Sequence, residues 1–251
     1  MTCKMQEMTW QDFDEIRKEG IVILPVGSTE QHGPHLPLSV DAIISEGLAV
    51  MIAEKVRGAV APTICYGYKS APLSGGGPFF PGTLDLNGLT LMNLVGDVLE
   101  ELIRDQVKKI LIVNGHYENE AFILEAVDLI SRKYPDVKIV EASWWDQISQ
   151  EVMDRVFDEV PFPGWALEHA AIAETSLTMF FRPDLVKFDR LIEDGVEEEL
   201  TYQVYPAPKE IVPKSGLLAT ARTSSLEKGK WLAEDIAEFY KKIVLKEFNK
   251  S

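Results

Sequence analysis

Apolar residues fall along this chain in two alternating rhythms. IVILPVGS (21–28) is a continuous apolar run rich in β-branched residues that closes on Gly-Ser, the pattern of a strand buried on both faces. After a polar loop, residues 40–56 change to helical spacing, with Ile43, Ile44, Leu48, Met51 and Ile52 on one side. AVAPTICYG (59–67) reads as a second strand, and SGGGPFFPGT (74–83) is too rich in Gly and Pro for either regular structure. Residues 88–106 return to helical spacing, with a stripe of Leu91, Leu94, Val95, Val98, Leu99 and Leu102. KKILIVN (108–114) is the clearest strand; a helix over 119–133 and a strand over 137–143 follow. EHAAIAETSLTMFF (168–181) reads as a helix ended by Arg182-Pro183, and 225–247 as a closing amphipathic helix. Residues 184–223 carry no clear period.

Apolar strands alternating with helices predict an α/β fold, with a parallel sheet covered on both faces. No Pro/Gly/Ser-rich linker, repeat or low-complexity run divides the chain, so residues 1–251 are expected to form a single domain. In such sheets ligands bind beyond the carboxyl ends of the strands. Ser28 to His32 and Asn114 to Glu118 both occupy that position, after different strands.

The charge balance removes some partners. Lys and Arg total 25 against 40 Asp and Glu, a net charge of −15 with no basic block, which argues against a phosphate backbone as partner. Two cysteines, Cys3 and Cys65, without a CxxC pair give no disulfide framework and suggest a reducing compartment. The N-terminus lacks the apolar core of a signal peptide, and no apolar run reaches the roughly 18 residues of a membrane helix. A cytoplasmic protein without a membrane partner is expected.

Four histidines can be weighed singly. STEQHGPHLPLSVD (28–41) holds Glu30, His32, His35 and Asp41. Glu30 and His32 are two residues apart, which in an extended segment puts both side chains on one face. His116 and Glu118 in NGHYEN repeat the spacing. Nitrogen and carboxylate donors without thiolate suit Zn²⁺, Mn²⁺ or Fe²⁺. These donors exceed what one catalytic zinc takes and fit two ions sharing a carboxylate, with Asp41 a candidate bridge. His35, bracketed by Pro34 and Pro37, is read as a hydrogen-bonded structural residue.

A third cluster is GWALEHAAIAETS (164–176). His169 could carry a proton, with Glu168 beside it to fix its tautomer; equally, Glu168 could only cap a helix start. Glu174 lies nearly two turns on. Trp144, Trp145 and Trp165 lie near this cluster, as core or as ligand walls. SGGG (74–77) lacks the GK[ST] ending of a phosphate loop, and its glycines instead allow Ser74 and backbone N–H groups to approach a small ligand.

GSTEQHGPHLPLSVD, SGGG…FPGT, NGHYEN and WxxEH…ETS, in this order, resemble the creatininase family over residues 21–182, with a further likeness at TSSLEKGKWLAEDI. The resemblance implies a three-layer α/β/α sandwich with a mostly parallel central sheet, assembled as a homo-oligomer, a hexamer. It implies two divalent ions, Zn or Mn with Fe possible. One would be held by Glu30, Asp41 and His116, the other by His32, the shared Asp41 and Glu118. His169 would be the acid–base, with Glu168 beside it. Ser74, Tyr117, Trp145 and Trp165 would contact the substrate, Trp145 from a covering loop. The expected reaction is hydrolysis of a small-molecule cyclic amide, creatinine to creatine. Hydrolysis of a formamide or another small amide, and metal binding without turnover, stay open. The segment SGLLATARTSS departs from the more Gly/Asp-rich family pattern.

Overall fold

The computed structural model describes residues 2–196 and 202–248. In chain order the elements are α1 (Trp10–Arg17), β1 (Ile21–Val26), α2 (Val40–Lys55), β2 (Gly58–Val60), α3 (Gly88–Arg104), β3 (Lys109–Asn114), α4 (Glu120–Lys133), β4 (Lys138–Ser143), α5 (Gln150–Val156), α6 (Ile172–Phe181) and α7 (Leu226–Phe248). The four strands form one all-parallel sheet in the order β2-β1-β3-β4. Alternation along each strand splits the core in two. Ile21, Ile23, Leu111, Val113 and Ala142 pack with α2, α6 and α7 on one face. Val22, Leu24, Val26, Ile110 and Ile112 pack with α3 and α4 on the other. The result is the expected three-layer α/β sandwich.

Two boundaries differ from the sequence reading, and two short helices, α1 and α5, are additional to it. β2 stops at Val60 and Ile64 pairs alone with Val26, because Pro62 between them has no N–H for a ladder. The helix expected from residue 168 begins at Ile172, after a positive-φ residue, Ala170 (56°). α1 and α5 carry no long apolar stripe; α1 is held at its start by a capping box between Thr9 and Asp12.

Strand order fixes where a site can form. The chain leaves β1 toward β2 on one side, then crosses back to β3 on the other, so the switch point lies between β1 and β3. Their last residues, Val26 and Asn114, are partners in the ladder. The first turn of α2 enters this notch because the residue after each strand is glycine. A Cβ on Gly27 would lie 2.5 Å from the Ala42 nitrogen, and one on Gly115 would lie 2.4 Å from the Asp41 carbonyl oxygen. Gly115→Ala is therefore expected to lower stability by about 1–3 kcal/mol through overpacking. Gly96→Ala, on α3 where a Cβ meets nothing within 4 Å, should raise it by about 0.5–1 kcal/mol. Thermal unfolding of the two variants checks both signs.

Candidate functional site

The notch brings together side chains from three loops. Glu30 and His32 come from the loop after β1, Asp41 from the first turn of α2, and His116 and Glu118 from the loop after β3. All but the partly buried Glu118 are essentially inaccessible. His116 Nδ1 lies 2.8 Å from Glu30 Oε1 and 3.0 Å from Asp41 Oδ2. Its other nitrogen, Nε2, donates to the Tyr68 carbonyl at 2.9 Å, which fixes the ring's orientation. His32 Nε2 lies 3.1 Å from Asp41 Oδ1 and 3.6 Å from Glu174 Oε2, while its Nδ1 faces the Glu30 carbonyl at 3.3 Å. Asp41 therefore has one oxygen toward each imidazole.

Three sets of donor atoms lie within 4.8 Å of one another: Glu30 with Asp41 and His116, His32 with Asp41 and Glu174, and Glu30 with His32 and His169. Within them Glu30 Oε2 is buried without a hydrogen-bond partner, and His32 Nε2 and Asp41 Oδ2 have only the imidazole–carboxylate contacts just given. Buried polar atoms are normally fully satisfied, so donors crowded together and under-satisfied in this way mark a place for cations. Nitrogen and carboxylate oxygen without thiolate are donors for Zn²⁺ or Mn²⁺. The residues present thus fit bound divalent metal.

The local electrostatics agree. Burial pushes the Glu30 carboxyl up to about 7, with repulsion from Asp41 adding to it against the pull of His116. Burial would also raise Asp41, but the adjoining His32 and His116 hold it well below the usual carboxylate range. Burial alone would lower both imidazoles; Asp41 and Glu174 drive His32 well above its ordinary value, and Glu30 and Glu118 do the same to His116. Carboxylates in a dry notch demand positive charge, and a divalent ion meets that demand by displacing the protons.

The third cluster closes the notch. His169 stacks on His32 with ring centroids 4.4 Å apart, and its Nε2 lies 2.8 Å from the Gln31 carbonyl oxygen. Burial, reinforced by the charge on His32, holds it well below the usual imidazole range. Glu168 accepts from the backbone N–H of Ala173 at 2.6 Å and of Glu174 at 3.3 Å, so it caps the start of α6 from upstream. Burial and the neighbouring Glu174 raise its pKa well above the ordinary carboxyl value. Glu174 in turn accepts from the Ala170 N–H at 2.6 Å, which holds that positive-φ residue in place.

Two residues stand differently in the structure from what local spacing suggests. Glu118 joins none of the three donor sets. Its Oε1 accepts from the Ser74 hydroxyl and the Ala71 N–H, and its Oε2 lies 3.3 Å from His116 Nε2, the nitrogen turned away from Glu30 and Asp41. Glu174 stands beside His32, with Oε2 3.6 Å from His32 Nε2. Nothing in the local spacing signals that, because Glu174 reaches the notch through the fold of residues 165–171. Gln31, unremarked between Glu30 and His32, is the other omission. His35 behaves as expected, with Nε2 2.9 Å from the Thr175 hydroxyl.

An aromatic wall lines one side. Trp144 and Trp145 follow β4 in a single tight turn, and both border the central space together with Tyr117 and Trp165. Ring centroids are 5.5 Å apart for Tyr117–Trp145 and 5.6 Å for Trp144–Trp165. Five carboxylates, Glu30, Asp41, Glu118, Glu168 and Glu174, border the space, and among the described residues no Lys or Arg does. It holds about 20 Å³, room for one water. A wider cavity of about 480 Å³ begins at the shared residues Ser74 and Tyr117.

Comparison with known proteins follows the same lines. The creatininase family profile, described as creatinine amidohydrolase, matches residues 6–244. Creatinine amidohydrolase of Pseudomonas putida is 37% identical over 235 residues, covering 91% of this chain and 90% of that protein. A mycofactocin precursor peptide peptidase of Mycolicibacterium smegmatis is 33% identical over 181 residues, covering 68% of this chain and 62% of that one. A solved creatininase variant complexed with creatine superposes with a TM-score of 0.95 at 35% identity, over 99% of both chains. Related creatininase structures are described as a Zn-Zn type and a Mn form.

Proposed function

The chain belongs to the creatininase family and is a hydrolase of C–N bonds; from that premise we propose that it opens a cyclic amide, creatinine to creatine, at a two-metal centre. The observation that carries the reading is the set of buried nitrogen and carboxylate donors converging around Asp41. One ion would be held by Glu30, Asp41 and His116, and the second by His32, Asp41 and Glu118, with Glu174 beside His32 as a further donor. When bound, the pair would supply an ionised water and polarise the amide carbonyl.

The remaining steps belong to the chain itself. Gln31's carbonyl occupies His169 Nε2–H, so the lone pair lies on Nδ1, the nitrogen able to take a proton and pass it to the departing ring nitrogen. Glu168 acts at one remove, by holding the start of α6 and hence Glu174. Glu118 orients His116 and anchors Ser74 at the mouth of the site. Tyr117, Trp145 and Trp165 would stack on a flat ring, and carboxylates without Lys or Arg favour a neutral or cationic one. A central space of one water requires that wall to give way as substrate enters from the wider cavity. Exposed apolar residues such as Leu89 and Leu129 offer surface for a second copy, in keeping with a homo-oligomer, a hexamer in our reading.

Metal analysis and a creatinine assay on the purified protein test this. About two divalent ions per chain and formation of creatine are expected. Tightly bound metal without creatinine turnover would sink the substrate. Absence of metal, with Glu30→Gln and His116→Ala leaving stability unchanged, would sink the centre. A second reading, hydrolysis of a formamide or a larger amide, is favoured by the 480 Å³ cavity beyond Ser74 and Tyr117; turnover of such amides in preference to creatinine would select it. Metal binding without turnover is disfavoured by His169, which a closed structural site does not need.

A further inference from the structure

Gln31 stands between two proposed metal ligands and is itself held from several sides. Its carboxamide is buried: Nε2 donates to the Gly75 carbonyl at 3.2 Å and to the Gly216 carbonyl at 3.0 Å, while Oε1 accepts from the Gly33 N–H at 2.9 Å. Both amide hydrogens and the carbonyl oxygen are used. The orientation is decided by the partners, since a flipped amide would set its oxygen against two carbonyls. The backbone has closed around the group at two left-handed glycines. A Cβ on Gly76 (φ +79°) would fall 2.4 Å from Nε2, and one on Gly216 (φ +85°) would fall 2.1 Å from Oε1.

These bonds join three segments far apart in sequence: the loop bearing Glu30 and His32, the loop bearing Ser74, and residues 213–217. They also immobilise residue 31 itself, whose own carbonyl takes the His169 Nε2 proton at 2.8 Å. The Gln31 Nε2 also approaches His169 Nε2 to 2.9 Å, so residue 31 meets the imidazole through both its backbone and its side chain.

We propose that Gln31 is a positioning residue: its carboxamide locks the three loops together and so holds its own carbonyl, and through it His169, in the working position. This rests on the reading of His169 as the proton carrier. It also answers what the SGGG stretch is for, since Gly75 and Gly76 form part of the seat for this amide.

Two variants test the lock from opposite sides. Gln31→Met keeps the length of the side chain and removes its hydrogen bonds; Gly216→Ala leaves Gln31 intact and crowds its Oε1. Both should retain the parent's metal content. Hydrogen exchange followed by mass spectrometry should be at least about tenfold faster in peptides covering 71–77 and 213–218, and unchanged in β1 and β3. kcat should fall at least about tenfold, and KM should move less than about threefold, the signature of a misplaced group rather than of lost binding. Unchanged exchange in both peptides, or kcat within about threefold of the parent in both variants, would overturn the proposal. If the parent itself turns over no amide, the proposed function fails, and the exchange measurement still decides whether Gln31 ties the loops.

Discussion

Asp41→Asn is expected to abolish turnover, by on the order of 10⁴-fold or more, and to lower the metal content to one ion per chain or fewer. The estimate follows from the position of the carboxylate. Oδ1 lies 3.1 Å from His32 Nε2 and Oδ2 lies 3.0 Å from His116 Nδ1, so each oxygen belongs to a different candidate ion. An amide in its place keeps one carbonyl oxygen and turns an NH₂ toward one imidazole. That edge of the notch then has a donor facing where a cation must sit. A bound divalent metal would lower the pKa of its water to about 7, and that activation is lost with the ion. Asparagine keeps the volume and the first turn of α2, so circular dichroism should be little changed. Metal quantitation beside a turnover assay checks the prediction; an Asp41→Asn protein holding two ions per chain and retaining a tenth of the activity would remove Asp41 from the shared position.

Most of the layout is readable from local pattern, and the exceptions share a cause. IVILPV and KILIVN identify themselves because both faces of those strands are covered, so every position is apolar. Glu30, His32, His116 and Asp41 are readable because each sits within a few residues of a strand end or a helix start, where spacing predicts direction. Glu174 is not: it stands beside His32 only because residues 165–171 turn through the strained Ala170 before α6 begins. Glu118 has the spacing of a ligand, which does not show that a hydroxyl and an N–H from the Ser74 loop also meet it. Gln31 gives no signal by residue type. A trace of it lies in the glycines, since Gly33, Gly75, Gly76 and Gly216 cluster around one amide without any phosphate motif. The Trp144–Trp145 choice dissolves for a similar reason, as one tight turn after β4 brings both rings to the same space. Local period reports which residues leave a strand together; it does not report which distant loop meets them.

His169→Gln should separate proton transfer from metal binding. Glutamine presents an N–H that can still reach the Gln31 carbonyl, so the contact made at 2.8 Å by the imidazole has a substitute. What it lacks is a nitrogen that can take up and return a proton near neutral pH. Of the three donor sets only Glu30 with His32 and His169 includes His169, and both other sets keep all their donors, so the metal content should equal the parent's. kcat is expected to fall by about 10²–10⁴-fold, the usual range for loss of a general acid or base, with KM within about threefold. The contrast with Asp41→Asn is the informative part. Loss of turnover with loss of metal places a residue among the ligands, whereas loss of turnover with both ions retained places it in the chemistry. Activity within tenfold of the parent in His169→Gln would pass the proton-carrying role to another group in the notch. One carboxyl able to hold a proton is Glu168, whose burial keeps its pKa raised. It already accepts the N–H groups of Ala173 and Glu174, so serving as the acid would cost α6 its cap and pull Glu174 away from His32. That mechanical conflict is why the assignment rests on His169.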